Sequence, residues 1–348
     1  MSKILSVCVA GDCTGFNIFN RNPLKDFGKK ISESDIFLFN LEGVVVSEPC
    51  ISSIFDCFPR NPLLRPIVKS IFSRQPCIYS SPSFARLMNL CRFNVATLAN
   101  NHALDWGRKG IIETKKHLLR NNILPIGAGL NVSDACKPSI INVNNFRIGF
   151  LNYCDIGRVK LLDLEIFSAG LNIFRITAGY GFEGVASCKK CNVEKQILEF
   201  KERTDFIVVS LHVGKVYQTF SDKVHLDIVE RILDAGANVV VCHHPHVPQG
   251  IIVKDKGLAF LSMGDFIVNW PNPFYRMGYD RPTTTSIISF IDIFRDKLNV
   301  RILPVKLCGG LPTSPNPREA FEILEKVRNL SSPADCLKIT EGTAFLTI

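Results

Sequence analysis

Seven histidines occur in this chain, and five of them, His102, His212, His243, His244 and His246, stand where short apolar runs stop. The same run ends carry Asp12, Glu42 and Asn101. A lone histidine in such a place is more often a packed structural residue than a ligand. Five of them beside an Asp, a Glu and an Asn are hard to explain as packing. Imidazole, carboxylate and amide oxygen together suit borderline or hard divalent ions such as Zn, Mn, Fe or Mg. One or two such ions lower the pKa of a water and clamp an anionic transition state. The string His244-Pro245-His246 is expected to set two imidazoles on the same side of an extended turn. Asn100-Asn101-His102 offers an amide ligand followed by a histidine free for proton transfer. His117 and His225 fall in expected helices and are read as ordinary. His243 is read as a structural residue or one lying behind the ligands rather than among them.

These residues need rigid elements to present them. Ile4 to Ala10 ends at Gly11-Asp12, Asp35 to Phe39 ends at Asn40-Leu41-Glu42-Gly43, and Phe93 to Ala99 ends at Asn100-Asn101-His102. Phe206 to Leu211 ends at His212, and Asn238 to Cys242 ends at His243-His244-Pro245-His246. Runs this apolar predict strands covered on both faces, in a parallel or mixed α/β sheet. Helices are expected over 109–121, 222–235 and 317–329, and hairpins over 139–152 and 286–307. Ligands of open α/β sheets collect outside the carboxyl ends of the strands, where all five clusters fall. Residues 44–82, rich in proline, read as an irregular insertion at the rim of such a site, while 155–195 give no clear assignment.

The string Ala99-Asn100-Asn101-His102-Ala103-Leu104-Asp105-Trp106-Gly107 resembles the bacterial capsule-synthesis CapA (poly-γ-glutamate synthesis) family. So do Gly11-Asp12, Asn40-Leu41-Glu42-Gly43, Leu211-His212-Val213-Gly214 and His243-His244-Pro245-His246-Val247. Leu261-Ser262-Met263-Gly264-Asp265-Phe266 is similar to the family's Gly-Asn-Phe turn, with Asp265 in place of Asn. The likeness runs in order over roughly residues 4 to 307. That family is related to the calcineurin-like metallophosphoesterases. The resemblance therefore implies a four-layer α/β/β/α sandwich over 1–310, with 311–348 as a C-terminal helix and tail packed on the same domain.

By the same resemblance, Asp12 is a ligand of a first metal, Glu42 the bridging carboxylate, and His246 the residue that closes the first site. Asn101, His212 and His244 hold a second metal. His102 is the general acid, and Asp105 either orients its imidazole or caps the following helix; the cap is preferred, since Asp-Trp-Gly precedes a helical run. Asp265 reads either as support behind the ligands or as a tight Gly-Asp turn. The sequence departs from the metallophosphoesterase pattern at Thr14, which stands where a histidine ligand is usual. The implied activity is hydrolysis of a phosphoester, an amide or an ester by a metal-bound hydroxide. The rival expectation is a non-catalytic subunit that binds an acidic polymer or a synthase.

Composition narrows the partners. The formal net charge is +9, from 41 basic and 32 acidic residues, and the basic residues are scattered singly or in pairs such as Lys115-Lys116. That distribution speaks against a nucleic-acid stripe and suits an anionic small molecule or polymer. Arg60, Arg158, Arg276 and Arg281 lie in expected loops, where an ordinary surface role competes with anion binding. Capsule or polymer synthase components are the partners that the resemblance implies. No run is long enough for a transmembrane segment, and no signal-peptide pattern is seen. Thirteen irregularly spaced cysteines read as reduced thiols, so the expected location is cytoplasmic. Cys188 and Cys191 have CxxC spacing without a second pair, which argues against zinc binding.

Overall fold

Along each apolar run, successive side chains turn to opposite faces, and burial of both faces dictates layers above and below the sheet. The computed structural model describes residues 2–15, 22–47, 78–156, 177–269 and 284–348. The chain passes through β1 (Leu5–Gly15), α1 (Gly28–Ser32), β2 (Ile36–Leu41), β3 (Val44–Val45), β4 (Tyr79–Ser80) and α2 (Pro82–Leu87). Next come β5 (Phe93–Thr97), α3 (Gly107–Arg120), β6 (Ile123–Ile126), β7 (Ala128–Gly129) and α4 (Val132–Ala135). The hairpin of β8 (Ser139–Val143) and β9 (Phe146–Cys154) is followed by β10 (Gly184–Val185), α5 (Cys188–Cys191) and α6 (Val193–Lys201). Then β11 (Phe206–His212), α7 (Lys223–Ala235), β12 (Val239–His243), β13 (Ile251–Lys254), β14 (Gly257–Phe260) and β15 (Asp265–Asn269) follow. The chain closes with β16 (Thr285–Ile293), β17 (Leu298–Cys308), β18 (Leu311–Thr313), α8 (Pro317–Asn329), β19 (Lys338–Thr340) and β20 (Thr343–Thr347).

Two large sheets result. One has ten strands in the order β19-β20-β17-β16-β1-β2-β5-β6, with β15 added beside β1 and β18 beside β17. The other has six, in the order β13-β14-β12-β11-β9-β8. The strands that end in polar clusters are parallel to their neighbours: β1 with β2, β2 with β5, and β11 with β12. Their carboxyl ends therefore point the same way within each sheet.

Period-two burial sorts the layers. Leu5, Val7 and Val9 of β1 share one core with Ile148, Phe150, Val208 and Val241 of the second sheet. Cys8 and Ala10, on the other face of β1, pack with Phe84 of α2 and Leu118 of α3. On the far side of the second sheet, Val209, Leu211 and Val240 pack against Ile197 of α6 and Val229 of α7. The order is helix, sheet, sheet, helix, the four-layer sandwich that the resemblance implied.

The expected helices appear as α3, α7 and α8. Asp222 caps α7 by accepting from the His225 N–H at 3.0 Å, and Asn316 with Glu319 forms a capping box ahead of Pro317 on α8. Both expected hairpins are present, as β8–β9 and β16–β17. Residues 311–348 hold more than a helix and tail. β20 pairs with β17 and β19 with β20, extending the large sheet, while Leu324 and Val327 of α8 enter the central core. Of the 44–82 insertion, 48–77 lie outside the described residues, as do Arg60, Arg158, Arg276 and Arg281; its two ends pair as β3 and β4.

Among the described residues the thiols depart from expectation at one place. Cys136 and Cys191 form a disulfide across 55 residues, with Cα atoms 5.6 Å apart. Sequence spacing could not show this, because only the packing of α4 against the end of α5 brings the two together.

A close backbone approach joins β1 to β15. A Cβ at Gly11 would lie 1.9 Å from the Gly264 carbonyl oxygen, which accepts from the Asp12 N–H at 3.0 Å. Gly11→Ala should therefore cost about 1–3 kcal/mol or more through overpacking. Urea unfolding would read this as a lower midpoint; an unchanged midpoint would contradict the approach.

Candidate metal centre

The site begins with Asp12, fully buried on β1 at an irregularity in the pairing to β2. Its register partners are Asn40 on β2 and Asp265 on β15. Asn40 Nδ2 donates to Asp12 Oδ1 at 2.8 Å and lies 3.4 Å from His212 Nδ1. Asn100 Nδ2 donates to Asn40 Oδ1 at 3.2 Å and to the Leu41 carbonyl at 2.8 Å, while Asn100 Oδ1 accepts from the His102 N–H at 3.1 Å. These amides lock the ends of β2 and β5 together just before Glu42 and Asn101.

The second sheet contributes the histidines. His212 and His243 are register partners at the ends of β11 and β12. His212 Nε2 is 2.8 Å from Asn101 Oδ1 and 3.7 Å from Glu42 Oε1. His246 Nε2 is also 3.7 Å from Glu42 Oε1, and its Nδ1 stands 2.8 Å from Asp265 Oδ1 and 3.3 Å from Asp12 Oδ2. The His244 ring lies 4.9 Å from that of His212 and 5.8 Å from that of His246. His243 Nδ1 sits 3.1 Å from Asp12 Oδ1, beneath the cluster.

The turn carrying His244 and His246 is not extended, as expected from Pro245, but left-handed at both histidines, with φ of 99° and 57°. Non-glycine residues held there cost roughly 1–3 kcal/mol each and cluster at functional sites. The twist brings the His244 N–H to 3.3 Å from Asp12 Oδ2, which ties the strained turn to the buried carboxylate.

The charges are crowded. Burial pushes the Glu42 carboxyl up to about 7, with His246 pulling against it and Asp12 reinforcing it. Burial and then His246 lower His244 to about 3, and burial with His244 holds His212 well below the usual imidazole range. Burial opposes ionisation of His246, but Glu42 and Asp265 hold its pKa well above normal. Burial also works against Asp12, yet bonds from His243 and His246 keep it well below the usual carboxylate range. The donor set fits a cation. Glu42 Oε1 and His244 Nδ1 are buried without a hydrogen-bond partner, and buried polar atoms are rarely left so. The ligand-capable atoms of Asp12, Glu42, His246 and Asp265 lie within 4.8 Å of one another, as do those of Glu42, His244 and His246.

His102 Nδ1 meets Asp105 Oδ2 at 2.8 Å, and the same oxygen accepts from the Ile78 N–H at 2.6 Å. Asp105 is therefore not the cap of α3, whose N-cap position is Trp106 without a side-chain bond. The local sequence suited a cap, but the carboxylate turns back to the imidazole instead. Burial disfavours the His102 cation, yet the Asp105 carboxylate outweighs it and raises the His102 pKa.

Two positioning residues escaped the sequence reading. Asn40 was visible only as part of a motif. Asn152 on β9 gave no signal at all, being one polar residue in a buried strand. Asn152 Oδ1 accepts from the Ala99 N–H at 2.7 Å, and its Nδ2 donates to the Ser210 carbonyl at 3.2 Å. It thus stitches the loop carrying Asn101 and His102 to the strand carrying His212. His225, read as ordinary, is buried on α7 with neither ring nitrogen bonded.

Comparison with known proteins gives the family. The model described as bacterial capsule synthesis protein PGA_cap matches residues 17–270. The chain belongs to that family. Among PGA_cap relatives, the capsule biosynthesis protein CapA of Bacillus anthracis is 29% identical over 224 residues, 63% of this chain and 49% of that protein. The PGA biosynthesis protein CapA of Bacillus subtilis is 29% identical over 199 residues, 57% of this chain and 47% of that one. A probable polyglutamine synthesis accessory protein of Mycobacterium tuberculosis is 27% identical over 199 residues, 56% of this chain and 50% of that one. The chain spans about half the length of these relatives. Among solved structures, a novel phosphatase of Mycoplasma pneumoniae superposes with a TM-score of 0.48 at 12% identity, covering 93% of this chain and all of that one. Among the described residues no helix is long and apolar enough to cross a membrane.

Asn152→Leu would leave the Ala99 N–H buried without an acceptor, a loss of about 1–3 kcal/mol. Chemical unfolding should show that loss, with faster amide exchange at 99–102 as its local signature. Unchanged exchange there would separate Asn152 from the site.

Proposed function

We propose that this PGA_cap protein is a metal-dependent hydrolase, of phosphoesterase type, acting on an anionic small molecule or polymer. One or two divalent ions (Mn, Zn, Fe or Mg) are held by Asp12, Glu42, Asn101, His212, His244 and His246. The observation that carries the reading is the Glu42 carboxylate. It is buried, its Oε1 has no hydrogen-bond partner, and His212 and His246 each bring an Nε2 to 3.7 Å from it. Withdrawal of such a group from water costs several kcal/mol unless a cation or full hydrogen bonding offsets it. When bound, divalent ions supply Lewis acidity and lower the pKa of a water at the site.

The protein's own groups supply the rest. Asn40 and Asn100 hold the strand ends at fixed separation, so that Glu42 faces both histidine groups. His102, its Nδ1 donating to Asp105, keeps Nε2 for proton delivery to a leaving oxygen. The strained His244 turn keeps two imidazoles aimed inward without reorganisation during reaction. An amide or ester bond suits the same groups. The names of the relatives support a setting in capsule or poly-γ-glutamate synthesis, beside synthase components.

A second reading, a polymer- or synthase-binding subunit, is favoured by Thr14, which stands two residues after Asp12 and is a poor ligand. The word accessory in the Mycobacterium relative's description points the same way. The His102–Asp105 pair favours the enzyme, since a scaffold needs no proton donor beside its ligands.

Protein purified without chelator should carry near-stoichiometric metal, and the His244→Ala, His246→Ala double variant should lose it. Elemental analysis decides this; a metal-free protein after Mn or Zn addition would end the hydrolase reading. His102→Gln should retain the metal while kcat on a phosphodiester or phosphomonoester falls about 10²–10⁴-fold. Equal turnover in that variant would remove His102 from the reaction, and metal without turnover on any phosphoester, amide or ester would favour the binding subunit.

A further inference from the structure

One carboxylate of the cluster has no role in the reading above. Asp265 opens β15, directly beside Asp12 in the parallel pairing of β15 with β1. We propose that Asp265 is a direct metal ligand, completing with Asp12, Glu42 and His246 an oxygen-rich first position, so that the centre takes two ions and prefers a hard one such as Mn(II) there. This rests on the metal-site reading of the proposed function and adds to it a ligand and an ion preference.

Distances carry the assignment. Ligand atoms about 2.1 Å from a common ion stand about 3.0 Å apart along an octahedral edge and about 4.2 Å across it. His246 Nδ1 lies 2.8 Å from Asp265 Oδ1 and 3.3 Å from Asp12 Oδ2, both edge lengths. All four residues offer atoms within 4.8 Å of one another, slightly wider than that octahedral diameter, so a small inward shift of side chains would close the sphere. Asp265 is itself buried, and Glu42 Oε1, buried in the same cluster, has no hydrogen-bond partner.

The backbone explains why this carboxylate serves. Thr14, two residues along β1, offers only a hydroxyl. The missing ligand comes instead from the neighbouring strand, which Gly11 and Gly264 allow to approach so closely that any Cβ at Gly11 would collide with the Gly264 carbonyl. Three carboxylates and one imidazole make a harder set than the two carboxylates and two imidazoles that a histidine at position 14 would give. Hard oxygen donors favour Mn or Mg over Zn.

The competing role is a hydrogen bond in which Asp265 only orients His246, as carboxylates behind metal-bound histidines commonly do. Asp265→Asn separates the two, because its amide oxygen still accepts from His246 but, without charge, is a much weaker ligand for a hard ion than a carboxylate. Titration calorimetry and electron paramagnetic resonance with Mn(II) should show two ions per wild-type chain with a spin-coupled spectrum. The Asp265→Asn chain, folded by circular dichroism, should bind one, with a mononuclear spectrum. His244→Ala should also drop to one ion, and that ion should then depend on Asp265 in the double variant. Two ions at wild-type affinity in Asp265→Asn would overturn the assignment and leave the orienting role. A wild-type chain with a single ion indifferent to Asp265→Asn would overturn it too, with the hydrolase reading intact. A wild-type chain that takes no Mn(II) or Zn(II) would overturn both.

Discussion

Two carboxylates, Asp12 and Glu42, are withdrawn from water where the strand ends of two sheets meet, and the rest of the centre is arranged around that burial. An ionised carboxylate in such a place is tolerated only with opposite charge and donors close by. Among the described residues, the ion pairs of Asp12 and Glu42 are all with histidines. Imidazoles are conditional partners: burial works against charge on His212, whereas Glu42 and Asp265 sustain it on His246, and Glu42 Oε1 is still left without a hydrogen bond. The cluster is thus poorly balanced as a protein-only ion-pair network and well balanced around a cation. Rigid packing on both sides keeps it from relaxing into a better one.

That rigidity is a property of the sandwich. The first sheet supplies the carboxylates, Asn101 and His102, the second His212, His243, His244 and His246, and the apolar core between them sets their distance. Asn152 and the Asn40–Asn100 pair add directional bonds across and along the seam. Within the centre, strain is stored in the His244-Pro245-His246 turn, where left-handed backbone aims two rings into the cluster. The Cys136–Cys191 disulfide lies away from this seam, among the outer helices of the second sheet. It constrains the scaffold rather than the centre.

Membership in the PGA_cap family and the geometry of the centre bear on function differently. The family supports a setting, polymer assembly at the capsule, through what its relatives are called. The centre has donors that could hold a divalent ion, and hydrolysis assisted by such ions is the proposal built on them. In the proposed function the two meet in an anionic polymer, which would suit both a positively charged chain and a metal-loaded site. Thr14 is the residue at which they pull apart, and the proposed Asp265 ligand would reconcile them.

Much of this was legible in the amino-acid order alone. Five apolar runs, each ending in Asp, Glu, Asn or His, predicted buried strands with their polar ends gathered on one side, because strand periodicity and burial are local properties. The same logic located α3, α7 and α8 from apolar spacing and start signals. What sequence could not supply was lateral. Asp265 as the neighbour of Asp12, Asn152 as a bond between sheets, and Cys136 with Cys191 all depend on which strands and helices lie side by side, while sequence left open whether Asp105 orients His102 or caps a helix. Residue types at run ends follow from the chain, whereas the direction of a carboxylate follows from the nearest donor in space. Only the packed structure decides which donor that is.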